Sequence, residues 1–289
     1  MRYTSLNSYL KERFGCKVYK LAVDGGFTCP NRDGTLGTGG CIFCSNGGSG
    51  EFAGDRRLSI TRQLDEGKKL VSSKIKNGKY IAYFQAFTNT YAPAGVLREK
   101  YLEAIERPDI VALSIATRPD CLGDGVLEVI DEMNKIKPVF VELGLQSIHE
   151  KTAQYINRGY TLEVYDSAVE KLHKIGVNVV THLIIGLPCE TRDDILDSVR
   201  YVCRVTDGIK LQLLHVIEGT RLAEEYRTGR VKTLSLDEYA DIIKDCVEII
   251  PEHIVIHRLT GDGAKKDLIA PLWSADKKRV LNTINKKLL

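Results

Sequence analysis

The chain has 289 residues, 43% of them hydrophobic and 27% charged, with a formal net charge of +3. That length suits one large α/β domain or two smaller ones at ~150 residues each, and the charge permits an acidic partner without demanding one. No apolar run approaches the ~18 residues of a membrane span, residues 1–15 lack the apolar stretch of a signal peptide, and eight cysteines without secretory features predict a reducing cytoplasm.

Residues 5–14 read as a short amphipathic helix, and 16–24 alternate as a first strand. That strand runs into a glycine-rich stretch holding Cys29, Cys41 and Cys44. Residues 60–77 carry apolar positions at helical spacing among lysines. From there strands are predicted at 79–87, 109–117, 139–147, 178–188 and 209–217. Helices are predicted at 94–106, 124–136, 149–156, 161–175, 192–204, 220–228 and 235–249. A short strand at 253–257 and a basic helix at 275–288 close the chain. Near-continuous apolar strands separated by helices indicate a parallel sheet covered on its outer face. With cysteines directly after the first strand, six βα units fit an α/β fold of one domain, a partial (β/α)6 TIM-type barrel. Its core would span 16–220, with a short N-terminal helix and a C-terminal extension over 221–289. Such barrels place their chemistry at the C-terminal ends of the strands. The cysteine loop, 88–91, 117–120, Gln146 and Ser147, 186–191 and 215–220 all fall there.

Between Cys29 and Cys41 lie Gly34, Gly37, Gly39 and Gly40 with Pro30, Asn31 and Asp33, which favour irregular backbone able to wrap a compact object. Three thiolates are one fewer than a closed zinc site uses. A four-iron cluster normally takes four cysteines, so with three, one iron keeps a position for a substrate or cofactor. The competing reading is a zinc knuckle completed by histidine or water, in a zinc-stabilised RNA-binding protein without turnover. Cys16, Cys121, Cys203 and Cys246 read as small buried hydrophobes; for Cys189, after Leu187-Pro188, packing and a substrate role both stand. Glu142 shares a strand face with Gln146 and points into the barrel, where it needs a partner, structural or functional. His215 and Glu218 read as solvated loop residues. The 257–263 stretch closes the site from either above or below. The C-terminal lysines read as a solvated helix face, with a nucleic-acid footprint as the alternative.

The motifs Cys29…Cys41-Ile-Phe-Cys44, Ser114-Ile-Ala-Thr-Arg-Pro-Asp120, Glu142-Leu-Gly-Leu-Gln-Ser147, Asn157-Arg158 and His182-Leu-Ile-Ile-Gly-Leu-Pro188 carry a resemblance. Together with Gly219-Thr220, they make the chain similar to the radical S-adenosylmethionine (SAM) superfamily. It resembles most the branch that includes the catalytic subunit of elongator and the oxygen-independent coproporphyrinogen oxidase. More narrowly, it looks like a bacterial family of short radical enzymes, one of which trims the carboxymethylaminomethyl group of the tRNA wobble uridine to aminomethyl. The resemblance implies that Cys29, Cys41 and Cys44 ligate a [4Fe-4S] cluster whose fourth iron is chelated by S-adenosylmethionine. It implies that Gln146 bonds the ribose, that Arg158 pairs bidentately with the carboxylate, and that backbone around Ile185, Gly186 and Leu187 lines the adenine. The sequence departs from its relatives at the long Cys29–Cys41 gap, at Ala116 and at His182, where acids are common. Ser114, Thr88 and Gln85 are the substitute candidates for the amine and ribose contacts, with Glu142 and His182 nearby. A one-electron donor such as flavodoxin or ferredoxin is implied as a partner, with tRNA as substrate. The same chemistry on a protein or small molecule is the alternative.

Overall fold

The computed structural model describes every residue except 1, 2, 74, 76, 77, 262 and 264. Strands β1 (Val18–Val23), β2 (Lys79–Phe84), β3 (Ile110–Thr117), β4 (Val139–Gln146), β5 (Asn178–Ile185) and β6 (Gly208–Leu213) lie side by side in chain order. Each pair is parallel. The short β7 (Val216–Ile217) leaves this sheet, β8 (Val255–Arg258) rejoins it parallel to β6, and β9 (Leu268–Ala270) pairs antiparallel with β7. The curved half-barrel therefore has seven parallel strands, one more than the six units expected. The sheet does not end at residue 220: the short 253–257 segment returns to the edge of β6 as its last member. The strand expected at 209–217 splits, since the chain turns away from the sheet after Leu213.

Helices α1 (Leu6–Phe14), α2 (Ile60–Val71), α3 (Ala94–Ile105), α4 (Asp124–Ile136), α5 (Glu150–Tyr155), α6 (Leu162–Lys174), α7 (Arg192–Val202), α8 (Arg221–Arg227), α9 (Leu236–Ile249) and α10 (Lys277–Leu288) complete the architecture. The helix expected over 60–77 stops at Val71, and its positions 74, 76 and 77 lie outside the described residues. Capping boxes open α1 (Ser5 with Ser8), α7 (Thr191 with Asp194) and α9 (Ser235 with Glu238), each cap contributing ~1 kcal/mol. The main core packs the outward residues of the strands, such as Leu113, Val141 and Leu211, against helix residues such as Leu97, Met133, Leu172 and Ile243. Each such side chain contributes about 1.5–3 kcal/mol on burial.

Inward-facing residues alternate with these and stack in layers, as one side chain per strand must in a parallel barrel. Val18, Ile81, Ala112, Phe140 and Val180 form an apolar floor closed from below by Leu10 of α1. The α1 segment also ties the two edge strands together: it packs on β1, and Ile256 N–H donates to Thr4 O at 2.8 Å. Two residues further along each strand comes a polar layer of Lys20, Tyr83, Ser114, Glu142, His182 and Lys210. Two residues further still, Ala22, Gln85, Ala116, Gly144, Ile184 and Gln212 face an open cavity.

Candidate active site

The cavity, ≈950 Å³, reaches from the polar layer up to the loop that follows β1, and Cys29, Cys41 and Cys44 all border it. A polar stitch holds that loop over the strand ends. Asn31 Nδ2 donates to Asn157 O at 2.6 Å, Asn157 Nδ2 donates to Gly40 O at 2.8 Å, and Gly40 N–H donates to Asn31 O at 2.7 Å. Arg32 closes the second half of the loop on Cys44 O and Ser45 O at 2.7 and 2.6 Å. Gly48, at φ +60°, brings backbone against the ring of Phe87, where an added Cβ would lie 2.4 Å from a ring carbon. Arg32 and Arg56 stack on that same ring.

Burial pushes the Cys41 thiol up to about 12, with Cys44 and Cys29 adding to the shift and Arg118 opposing it. Cys44 is also raised by burial, against Arg32. Three half-buried thiols on one loop, next to two guanidinium groups and with Asn31 Nδ2 3.9 Å from Cys41 Sγ, form a soft-ligand set suited to binding as thiolates on a positive centre. Among the described residues, no three His, Cys, Asp or Glu side chains converge closely enough for one metal ion. A cubane cluster does not require that, because each thiolate binds a different iron. The donor set and the room beside it fit a four-iron cluster.

One family model, the Radical SAM superfamily, matches residues 31–202, and a second, the Radical_SAM C-terminal domain, matches residues 206–289. The chain belongs to the radical SAM superfamily. Among curated proteins it is 49% identical to YtqA of Bacillus subtilis (strain 168), over 99% of this chain and 89% of that one. It is 31% identical over 159 residues to a tRNA uridine(34) acetyltransferase of Methanocaldococcus jannaschii, a match covering 53% of this chain and 28% of that protein. Among solved structures, Elp3 of Methanocaldococcus infernus matches with a TM-score of 0.65 at 20% identity, over 93% of this chain and 63% of that one. Radical SAM enzymes use a [4Fe-4S] cluster and S-adenosylmethionine, which together supply a one-electron cleavage of the sulfonium and an adenosyl radical. This radical SAM chain is accordingly an enzyme, and the zinc-stabilised binding protein without turnover is set aside. None of its helices is long and apolar enough to cross a membrane, among the described residues.

Of the cofactor contacts expected, Gln146, Arg158, Thr88, Gln85, Glu142 and His182 border the cavity, whereas Ser114, Ile185, Gly186 and Leu187 do not. Ile185 points outward into the main core and Leu187 into a second apolar cluster with Ile42, Ile156 and Leu222. The cavity wall on β5 is His182 and Ile184, as strand alternation requires. Gln146 adopts φ +66° at a register shift between β4 and β5, rare for a residue with a Cβ. Gln85 Nε2 donates to Ser49 O at 2.7 Å, tying β2 to the cysteine loop.

Arg158, expected to pair with a ligand carboxylate, is held by the protein itself in this structure. It is 1% exposed, and it donates to Tyr160 O at 2.9 Å, Leu145 O at 3.2 Å, Ser147 O at 2.7 Å and Glu150 Oε1 at 3.1 Å. Four of its five N–H groups are engaged, so the bidentate grip on a ligand carboxylate is not open to it in this conformation. Its work is to hold the turn after β4 in place, under the asparagine stitch. Arg118, from the Thr-Arg-Pro-Asp motif, lies beside it: it forks onto Asp120 at 2.9 and 2.7 Å, donates to Arg158 O, and stacks on Tyr160.

In the polar layer, Glu142 is fully buried and each carboxylate oxygen takes two donors. Oε1 receives Lys20 Nζ and, at 2.6 Å, Ser114 Oγ; Oε2 receives Lys210 Nζ and, at 2.8 Å, His182 Nε2. Burial favours the protonated acid, but Lys20, Lys210 and His182 hold Glu142 well below the usual carboxylate range. Burial and Lys210 push His182 down to about 4, so the ring is neutral; with Nε2–H on Glu142, its Nδ1 accepts from Gln212 at 3.2 Å. Burial pulls Lys210 down to about 7 against the attraction of Glu142.

His215 was expected in solvent. Instead it borders the cavity, pressed against Gly261, where an added Cβ would meet its ring at 2.7 Å. Of the expected 257–263 closure, His257, Arg258, Gly261 and Gly263 border the cavity, and Asp262 lies outside the described residues. Glu218 is exposed and paired with Arg227 at 2.5 Å. Cys203 and Cys246 are buried, Cys16 and Cys121 only half-buried, and Cys189 is exposed. The sequence reading missed Lys20, Lys210, Tyr83 and Arg118. The signal existed for the lysines, since each sits mid-strand between apolar residues where a charge is rarely buried without purpose.

Proposed function

We propose that this radical SAM enzyme modifies the side chain of the tRNA wobble uridine, converting carboxymethylaminomethyluridine to aminomethyluridine. Hydrogen would be abstracted from the carboxymethyl carbon beside the secondary amine, loss of one further electron to a one-electron acceptor would give the imine, and water would then break the C–N bond, releasing the two-carbon unit as glyoxylate. The observation that carries the reading is the 31% identity over 159 residues to a protein named tRNA uridine(34) acetyltransferase. The resemblance of the motifs points the same way, and a cavity of ≈950 Å³ offers room for an extruded base and its side group. An anticodon loop presents that base at lower unstacking cost than a duplex. A one-electron donor such as flavodoxin or ferredoxin completes the cycle.

The chain's own part is to bind and orient. The asparagine-stitched loop fixes the cysteines, the layered barrel excludes water from below, and Gln146, Thr88 and Gln85 offer polar contacts at cofactor height. With a net charge of only +3, tRNA binding would rest on local groups such as Arg56, Arg57 and the lysines of α10, each phosphate contact adding roughly −0.7 to −0.9 to the log–log salt slope. The test is anaerobic turnover by reconstituted enzyme with reductant, S-adenosylmethionine and purified tRNA, read by nucleoside mass spectrometry. Loss of the carboxymethyl mass at the wobble nucleoside is expected. Cofactor cleavage without any change in that mass removes the tRNA assignment and turns the reading to a protein or small-molecule substrate.

A further inference from the structure

We propose that Lys20 and Lys210, at the bottom of the cavity, form a receptor for an anionic group of the substrate. On the reading above, which this inference deepens, that group is the carboxylate of the carboxymethylaminomethyl side chain.

Three observations carry it. First, the polar layer does not balance its charge. Two ammonium groups share the single carboxylate of Glu142, and the neutral His182 adds no negative charge. Second, donors and acceptors do not balance either. Glu142 already accepts four hydrogen bonds. Lys20 Nζ has Ser114 Oγ at 3.0 Å and Glu142, and Lys210 Nζ has Tyr83 OH at 3.2 Å and Glu142. An ammonium has three N–H donors, so each lysine has one more than these partners use. Third, the surplus faces the cavity. The apolar floor of Val18, Ile81, Phe140 and Val180 seals the layer from below, while Lys20, Tyr83, Glu142, His182, Lys210 and Arg258 all border the cavity above. Buried positive charge seeks an anion, and the cavity that these groups border offers it a place. A carboxylate set between the two ammonium groups would hold the carbon it is attached to in the space beneath the cysteine loop. Lys20 and Lys210 are thus positioning and specificity residues.

The charge state of Lys210 supplies an independent readout. The groups facing it are Lys20 from β1, Tyr83 from β2, Ser114 from β3, Glu142 from β4, His182 from β5 and His257 with Arg258 from β8. Burial, with Lys20 and Arg258 adding to it, sets Lys210 at about 7 against the pull of Glu142. A bound anion pulls the same way as Glu142 and raises it. Binding at pH 8 therefore takes up close to one proton, and binding at pH 6, where the amine is already charged, takes up almost none.

The experiment has two arms on cluster-loaded enzyme. In the first, tRNA carrying carboxymethylaminomethyluridine is compared with the same tRNA after conversion of that carboxylate to its methylamide, using wild type, Lys20→Met and Lys210→Met. Wild type is expected to prefer the acid in KM by roughly ten- to hundredfold, the range of one charge-assisted hydrogen bond, and either substitution to erase most of that preference. In the second, N-methylglycine and its amide are titrated calorimetrically in two buffers of different ionisation enthalpy at pH 6 and pH 8. Proton uptake at pH 8 with the acid alone is expected, and needs no variant to fold. If wild type turns over neither tRNA, the tRNA reading fails and the second arm alone decides: binding of N-methylglycine, but not its amide, with proton uptake at pH 8 upholds the anion receptor, and its absence overturns it. If the acid-bearing tRNA is turned over but both variants keep the preference of wild type, the receptor is overturned while the tRNA reading stands.

Discussion

Glu142→Gln removes the one negative charge from a layer holding two ammonium groups, while nearly preserving shape. Breaking a buried ion set by deleting one partner costs about 3–5 kcal/mol, and Glu142 is 0% exposed with four donors upon it. The cost depends on pH, and its direction follows from Lys210. In the fold this amine sits at about 7, below its ordinary 10.5, and without Glu142 it falls further. Below pH 7 the wild-type amine is charged, so the variant loses the full attraction or must discard a proton. At pH 9 the amine is already neutral in both folds, and that part of the loss vanishes. Glu142 itself adds no slope in this window, because its folded value lies below the ordinary 4.5 and it is ionised throughout. Calorimetric melting of enzyme in one cluster state should therefore show a fall in Tm of roughly 6–20 °C at pH 6, at 2–4 °C per kcal/mol for a chain near this size, and a clearly smaller fall at pH 9. A drop of under two degrees at pH 6, or a larger drop at pH 9 than at pH 6, would refute the account. Combining Lys20→Met, Glu142→Leu and Lys210→Met should restore most of the lost stability, since apolar replacement of a whole buried ion set is often neutral.

Ala in place of Cys29, Cys41 or Cys44 should abolish iron–sulfur absorption and cofactor cleavage while far-UV circular dichroism stays that of the wild type; cofactor cleavage at the normal rate by Cys44→Ala would remove the cysteine from the centre. Arg158→Ala strands the carbonyls of Leu145, Ser147 and Tyr160 at ~1–3 kcal/mol each, so its expected signature is a large fall in Tm without cofactor present. An unchanged Tm with weakened S-adenosylmethionine binding would return Arg158 to the role of a ligand contact. Gly48→Ala sets a Cβ inside the Phe87 ring at a backbone angle of +60°, at about 1–3 kcal/mol of overpacking; it should lower iron content after reconstitution, and full loading would show the loop to be more yielding than its packing implies.

The fold was readable because a parallel barrel advertises itself locally. Runs such as DIVALSIAT and KYIAYF are too short and too β-branched or aromatic for helices, and the segments between them carry apolar residues at helical spacing. What the sequence hid was pairing. The last strand is four residues long, and nothing in HIVIH says that it returns to the edge of β6 rather than standing apart. That choice belongs to the crossover through α8 and α9, which is a property of chain path. The split of 209–217 into β6 and β7 has the same character: the apolar run continues through Leu214, but the backbone turns once Leu213 has completed its register with Ile185.

At the site, the cysteines were legible because their spacing lies within one loop. Their surroundings were not, because a barrel layer takes one residue from each strand and scatters it over most of the chain. Glu142 could be aimed inward by parity with Gln146, but its partners required the stagger between six strands, which sequence does not state. The same limit explains Arg158. A motif places an arginine near the cofactor; it does not say how the five donors are engaged, and here three of them close on backbone carbonyls that no sequence pattern marks. Arg118 and the two lysines show the converse. Lys20 sits in VYKLAV and Lys210 in GIKLQL, each mid-strand on the inward parity, and a lysine buried in such a place must find a carboxylate or lose its proton. Within the polar layer the structure sets two lysines against one glutamate. That imbalance, more than any motif, separates a barrel built to receive an anion from one that merely holds a cluster.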